Sequence, residues 1–267
     1  MKRDFSLCKG KTRLVGCCSY FMTNTTDARR FKRAILKLSG EALREIGSED
    51  NISPEIVDRV AEEIRDAMAS GELELGVVVG GGNFWRGASA SARGMDRATA
   101  DYVGMLATVM NALALQSALE DEGVRCVVQS AIEMKNVAEP FIRRKAACHL
   151  ADGKVVIFAA GTGSPFFSTD TTAALRASEM GADVILKATM VDGVYDSDPK
   201  KNPAAKRYET VSFEHCINAQ LKVMDTTAFS LCRENDIPII VFDLAPAGNI
   251  SSALSGAPIG TLVNRGA

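Results

Sequence analysis

The chain of 267 residues has little of what most enzyme chemistry is built from. It holds two histidines, His149 and His215, a single tryptophan, and aromatic residues at 6%. Neither histidine stands near a partner along the sequence, so a histidine-based triad or zinc site is not expected. Seven cysteines occur (Cys8, Cys17, Cys18, Cys126, Cys148, Cys216 and Cys232), an odd number without a C-x-x-C pair. That pattern excludes a regular disulfide framework and fits thiols used as small apolar residues in a reduced, cytoplasmic setting. Basic excess is missing too: 31 Lys and Arg face 33 Asp and Glu, a formal net charge of −2. Sequence-independent binding to nucleic acid needs a basic surface and is not expected. No stretch reads as a membrane span, which takes about 20 predominantly apolar residues.

What is present is globular: 46% apolar and 24% charged residues, in a length at the upper end for one core. Residues 1–30 differ from the rest. They carry seven Lys or Arg against two Asp, three of the seven cysteines, and no helical or strand period. The favoured reading is a disordered tail or a start codon placed too early, with Met22 as the true start; a targeting segment is the alternative. Residues 31–267 then read as one domain.

From Arg33 onward, short runs rich in Val, Ile and Leu alternate with helical patterns. Strands are predicted at Ala34–Leu38, Leu75–Val79, Val124–Gln129, Lys154–Ala159, Asp183–Lys187, Pro238–Phe242 and Thr261–Val263. Helices are predicted after Ser53-Pro54, over Met105–Glu120, over Thr171–Met180 behind Thr169 and Asp170, and over Met224–Glu234. This order argues for a three-layer α/β/α sandwich around a mainly parallel sheet. The stretch from Ala188 to Tyr208 is polar and turn-rich, without a clear element.

In such sheets ligands bind beyond the carboxyl ends of the strands, so the residues after each strand carry the information. The first strand runs into Lys37-Leu38-Ser39-Gly40, a lysine and a turn with free backbone donors. The second runs into Gly80-Gly81-Gly82-Asn83-Phe84-Trp85-Arg86, where glycines permit close backbone approach or positive φ and Arg86 offers a planar fork for phosphate. The alternative to an anion site here is a tight strand exit with Phe84 and Trp85 as core anchors. The fourth is followed by Gly161-Thr162-Gly163-Ser164-Pro165-Phe166-Phe167-Ser168-Thr169-Asp170, a hydroxyl-rich loop leading to a helix N-terminus and so a ready anion site. Asp170 reads as an N-cap that can also orient a lysine. The fifth ends at Lys187 and Thr189, before Asp192-Gly193, Tyr195 and Asp198. Two strand-end lysines, two glycine-rich loops and an arginine suggest a polyphosphate, whose transfer asks for positioning and charge and not for histidine.

The segments KLSGE (37–41), GGGNFWRG (80–87), MLATVMNALA (105–114), AGTGSPFFSTDTTAA (160–174), LKATMVDGVYDSDPK (186–200) and LKVMD (221–225) closely resemble bacterial-type uridylate kinase, the UMP kinase of the amino acid kinase fold. The resemblance implies transfer of the γ-phosphoryl group of ATP to UMP, giving UDP and ADP. It implies an acceptor lobe over about 31–182 and a donor lobe over about 183–267. Lys37 and Lys187 would stabilise the transferred group, with Asp170 and Asp225 holding them. Lys37, Leu38, Ser39, Gly40, Gly82 and Arg86 would surround the ATP phosphates, and Thr189, Tyr195 and Asp198 the adenosine. UMP would meet Gly81, Arg86, Asp101 and the loop of Thr162, Gly163, Ser164, Pro165, Phe166, Phe167, Ser168 and Thr169, with Asp101 on the ribose. Magnesium would arrive with ATP.

The same resemblance implies a homohexamer inhibited by UTP and activated by GTP. The family's glycine-rich segment is replaced here by residues 44–51, with one glycine and three acidic residues, and this departure bears on GTP activation. Residues Glu139–Lys145 also depart from the family form and receive no role. Two other readings stay open: a kinase of the same fold acting on a carboxylate, as in acetylglutamate or aspartate kinases, and a relative that binds nucleotide or oxyanion without turnover.

Overall fold

Alternation along the strands decides the layers. In β1 (Arg33–Leu38), Ala34, Leu36 and Leu38 face one core while Ile35 faces another. The computed structural model describes residues 31–266 apart from 46, 92, 93, 200 and 222. The expectation for residues 1–30 lies outside the described residues.

The remaining strands are β2 (Glu74–Val79), β3 (Cys126–Ser130), β4 (Glu139–Pro140), β5 (Val155–Ala159), β6 (Val184–Thr189), β7 (Thr210–Ser212), β8 (Ile239–Asp243) and β9 (Thr261–Asn264). They form one sheet in the order β4-β3-β5-β2-β1-β6-β8-β9-β7. Every pairing is parallel except β8 with β9. The core on one face packs α1 (Pro54–Met68), α3 (Arg97–Asp121) and α8 (Asn249–Leu254). The core on the other packs α4 (Arg143–Ala151), α5 (Thr169–Met180), α6 (Phe213–Asn218) and α7 (Thr226–Asn235). A short α2 (Gly87–Ser91) lies against α3. This is the expected three-layer sandwich. Because both faces of the sheet are covered, the inner strands β2 and β5 read as nearly continuous apolar runs, and β1 and β6 do so apart from one lysine each.

The seven predicted strands are all present, shifted by a residue or two at their ends. The two strands missed, β4 and β7, are the sheet's edges and hold two and three residues, too short to show a period. The helix predicted from Met105 begins eight residues earlier, at Arg97, where Asp96 caps it by accepting from the Thr99 amide at 2.9 Å. Residues 139–145 hold an edge strand and the start of α4.

Three expectations need correction. α3 is long and apolar enough to cross a membrane by length and composition, with a mean hydropathy of 1.4, but half of that window is buried inside the fold. It is a core helix packed on α1, β2, β3 and β5. His149, expected to lack a partner, has Nε2 3.2 Å from the Glu139 carboxylate, because β4 and α4 bring distant residues together. Phe84 and Trp85 are only half-buried, Trp85 being held by its indole N–H donating to the Ala100 carbonyl at 2.9 Å.

Candidate active site

Parallel pairing of β1 with β6 sets Lys37 directly opposite Lys187. Both lie one residue step of two beyond apolar residues of the same face, Ile35 and Ile185, so both side chains point toward the layer that contains α5. Both lysines are only 6% exposed. Between them sits Asp170, in the first turn of α5. Lys37 Nζ is 2.8 Å from Asp170 Oδ1 and Lys187 Nζ is 2.6 Å from Oδ2, so the carboxylate bridges the two ammonium groups. Lys187 also donates to the Val223 carbonyl.

The charges are held against burial. Burial works to raise the Asp170 pKa, but Lys37 and Lys187 together outweigh it and hold the carboxyl below its ordinary range. Burial pushes the Lys187 ammonium down, with Lys37 adding to that, and the attraction of Asp170 offsets only part of it. The result is one carboxylate for two buried cations, a surplus of positive charge at the head of a helix whose dipole adds to it.

Asp170 is not the N-cap of α5. Ser168 fills that place, accepting from the amides of Asp170 at 3.0 Å and Thr171 at 3.2 Å. Freed from capping, Asp170 can turn to the lysines. Asp225 caps α7 through the Ala228 amide at 2.8 Å and accepts from the hydroxyls of Ser168 and Thr171. It therefore ties the heads of α5 and α7 together, and the Val223 carbonyl, two residues before it, is what reaches Lys187.

The glycine triplet closes on the same place. None of Gly80, Gly81 and Gly82 has positive φ, so of the two reasons for glycine here it is close approach that operates. A Cβ on Gly81 would stand 2.7 Å from the Gly104 carbonyl and 2.9 Å from Ala107 Cβ of α3. A Cβ on Gly40 would meet Asn83 Oδ1 at 2.4 Å and the Gly82 nitrogen at 2.7 Å. The Ser39-Gly40 turn and the triplet thus lie backbone against backbone, and Thr169 Oγ1 borders Gly80 from α5. Leu38 is fully buried beneath them, its backbone alone facing the turn.

Two residues that sequence reasoning passed over hold these loops. Asn111, fully buried on α3, donates to the Gly80 carbonyl at 2.7 Å and exchanges amide hydrogen bonds with Asn83. Thr108, one turn earlier, accepts from the Ala160 amide at 2.8 Å and so helps hold that residue at φ 60°. Their signal was legible: two polar residues three apart on the buried face of an apolar helix. Two turns further back, Asp101 accepts from the Phe166 amide at 2.9 Å and pairs with Arg97 at 2.9 Å. Gly87 lies against that carboxylate, since a Cβ there would stand 2.4 Å from Asp101 Oδ1. Arg86 is exposed and paired with Glu41 at 2.7 Å. Within the loop, the Thr162 hydroxyl accepts from the Ser164 amide at 3.2 Å, while Phe166 and Phe167 project into solvent.

Thr189, at the end of β6, accepts from the Val191 amide at 3.0 Å and starts the next turn. Tyr195 lies further on, its hydroxyl donating to Asp192 at 2.6 Å, and pairs by an isolated bridge with Arg207. Asp198 is exposed, 3.9 Å from Lys201. Of the polar segment 188–208, Ala188 and Thr189 complete β6, and residues 190–199 and 201–208 form a loop folded back on itself, as its turn residues suggest.

With the geometry in place, the comparisons with known proteins are specific. The model of the amino acid kinase family matches residues 32–243. A UMP kinase from Bacillus anthracis is 38% identical over 90% of this chain and 98% of its own, with a TM-score of 0.85. A UMP kinase from Ureaplasma parvum is also 38% identical, over 89% of this chain and 100% of its own, with a TM-score of 0.82. A uridylate kinase from Archaeoglobus fulgidus is 30% identical over 86% of this chain and 99% of its own, at a TM-score of 0.66.

Proposed function

From the premise that this chain belongs to the amino acid kinase family, we propose that it transfers the γ-phosphoryl group of ATP to UMP, giving UDP and ADP. The observation that carries the reading is the pair of buried lysines, register-matched on β1 and β6 and bridged by Asp170 at 2.8 and 2.6 Å. The identity to two UMP kinases over nearly their whole length supports the choice of acceptor.

In this reading a phosphate oxygen of UMP, already ionised, attacks the γ-phosphorus. The bond from that phosphorus to the oxygen bridging it to the β-phosphate breaks, and ADP leaves with the electron pair. No general base is needed. Lys37 and Lys187 face the oxygens on which charge is spread, and such preorganised charge is a large share of catalysis in reactions of this kind. Asp170 keeps both ammonium groups aimed and counters the burial that would strip Lys187 of its proton. Asp225 fixes the heads of α5 and α7 around them.

The donor phosphates are assigned to Lys37, the backbone of Leu38, Ser39 and Gly40, Gly82 and Arg86, and the adenosine to Thr189, Tyr195 and Asp198. UMP is assigned to Gly81, Arg86, Asp101 and residues 162–169. Among the described residues no group of three His, Cys, Asp or Glu side chains is gathered to hold a cation, and Asp170 is taken by lysines. Magnesium is assigned to arrive with ATP, held by its phosphates and water, where it would neutralise phosphate charge.

Homo-oligomerisation, as a hexamer, is part of the proposal. It is supported by Tyr102, Leu106 and Met110, an apolar stripe at four-residue spacing on α3 that is 45–47% exposed in the single chain. UTP is assigned as a competing ligand of the same site and GTP as an effector whose response the altered segment 44–51 would change. A cytoplasmic setting agrees with Cys126, Cys148, Cys216 and Cys232 being free thiols; burial pushes Cys126 and Cys216 up to about 11 and Cys232 up to about 12.

ADP release with ATP and magnesium, compared across UMP, CMP, acetylglutamate and aspartate, tests the reading. Turnover is expected with UMP foremost, and Lys37→Ala should lower kcat about 10²–10³-fold. A wild-type protein inactive on UMP overturns it.

A further inference from the structure

Arg176 is a long charged residue in a place built for an apolar one. It lies on the inner face of α5, only 3% exposed, among the residues that pack this helix on the sheet. Its guanidinium stacks on the ring of Phe141 at 3.7 Å and lies 5.8 Å from that of Phe158. Nη1 donates to the Glu179 carboxylate at 2.6 Å and Nη2 to the Gly161 carbonyl at 3.3 Å, while Nε is buried without a partner. A buried arginine with one N–H unpaired is a costly way to fill space; an apolar side chain of the same volume would pack there more favourably. What an apolar residue could not supply is the bond to Gly161.

Gly161 is the first residue of the loop that runs to Ser168. The chain turns there through two successive residues at φ 60°, Ala160 and Gly161. Thr108 holds the Ala160 amide from the α3 side, at 2.8 Å. Arg176 holds the Gly161 carbonyl from the α5 side. The loop entrance is therefore gripped from both faces of the sheet, by a hydroxyl on one and a guanidinium on the other. The guanidinium is backed by Phe141, whose amide donates to the Ser130 carbonyl at 2.8 Å, and its partner Glu179 is held through the backbone by Arg143, which donates to the Glu179 carbonyl at 2.6 Å. The segment 139–143, otherwise without a role, is the wall that fixes Arg176.

We propose that Arg176 is a positioning residue for the acceptor: by holding the Gly161 carbonyl it sets the course of the loop that follows, assigned above to UMP, without touching substrate. This rests on the acceptor assignment made above. Lysine in its place keeps the charge but loses the fork and the flat face for stacking. Methionine keeps the volume and loses the bond.

The test compares Arg176→Lys and Arg176→Met with Glu179→Gln, which keeps the Gly161 contact. Both arginine variants are expected to raise KM for UMP at least tenfold with KM for ATP within twofold, whereas Glu179→Gln leaves both within twofold. A purely structural role would shift thermal stability and move the two KM values together. Hydrogen exchange gives a readout free of activity: the amides of residues 162–164, 166 and 167 should exchange faster in Arg176→Lys, and those of residues 80–82 at the wild-type rate. If Arg176→Met fails to fold, Arg176→Lys decides alone. An active wild type with an unchanged KM for UMP in folded Arg176→Lys overturns the proposal, as does unchanged exchange at those loop amides. A wild type inactive on UMP instead refutes the assigned reaction, and the exchange measurement still decides the role of Arg176.

Discussion

Asp170 carries an unequal load, one carboxylate between two buried ammonium groups. Removing it leaves both cations in low dielectric without their shared counter-charge, Lys187 keeping only the Val223 carbonyl, and breaking a buried pair in this way costs about 3–5 kcal/mol. The pH dependence has a definite sign. The Asp170 carboxyl is held below its ordinary value in the fold, so its stabilisation is complete above the unfolded value of about 3.9. It is lost as pH falls through the lower folded value. Asp170→Asn has none of this to lose. The stability gap between wild type and Asp170→Asn, measured by denaturant titration, should therefore be full at pH 6–7 and shrink as the solution is acidified below about pH 4. A gap independent of pH would mean that Asp170 acts through packing and not through charge.

At the scale of elements, α3 works as a ruler. Asp101, Thr108 and Asn111 recur along one side of it: the first two hold the loop after β5 at Phe166 and Ala160, and the third holds the loop after β2 at Gly80. A rigid helix sets the separation of these contacts at 1.5 Å per residue, which a loop could not. Thr108→Val is nearly isosteric but leaves the Ala160 amide unpaired, at a cost of about 1–3 kcal/mol. The expected outcome is a lower thermal midpoint together with weaker UMP binding by calorimetry and little change in ATP binding. Equal weakening of both ligands would show that α3 supports the whole site and not the acceptor loop in particular.

Over the whole molecule, the exposed stripe of Tyr102, Leu106 and Met110 is the feature that a single chain does not explain. It lies on the same helix whose buried side holds the loops. Exposed substitutions usually change stability by no more than about 0.5 kcal/mol. Leu106→Glu in a monomer should thus be silent, whereas in an assembly joined through this stripe it should produce a smaller species. Light scattering of the variant decides: an unchanged mass removes the stripe from the subunit contact.

Much of this was legible in the chain itself. The apolar runs of β1, β2, β5 and β6 named inner strands because strands covered on both faces are apolar nearly throughout, with Lys37 and Lys187 as the exceptions near two ends. Lysines at two of their ends, glycines after a third and a hydroxyl-rich loop before a helix named the chemistry. Local sequence could not say which strands are neighbours, and so could not say that Lys37 faces Lys187; that follows from the β1–β6 register. Nor could it separate cap from clamp in Ser168-Thr169-Asp170, where any of three residues can cap a helix and only the lysines across the gap decide. Arg176 shows the same limit most sharply. In sequence it is one more charge on a helix, and only packing against Phe141 and the Gly161 carbonyl gives it a reason to be buried. The sequence by itself determined the elements and the kind of group at each strand end, because those depend on near neighbours. The tertiary structure alone decided which groups meet, because contacts between residues far apart are set by sheet order and register.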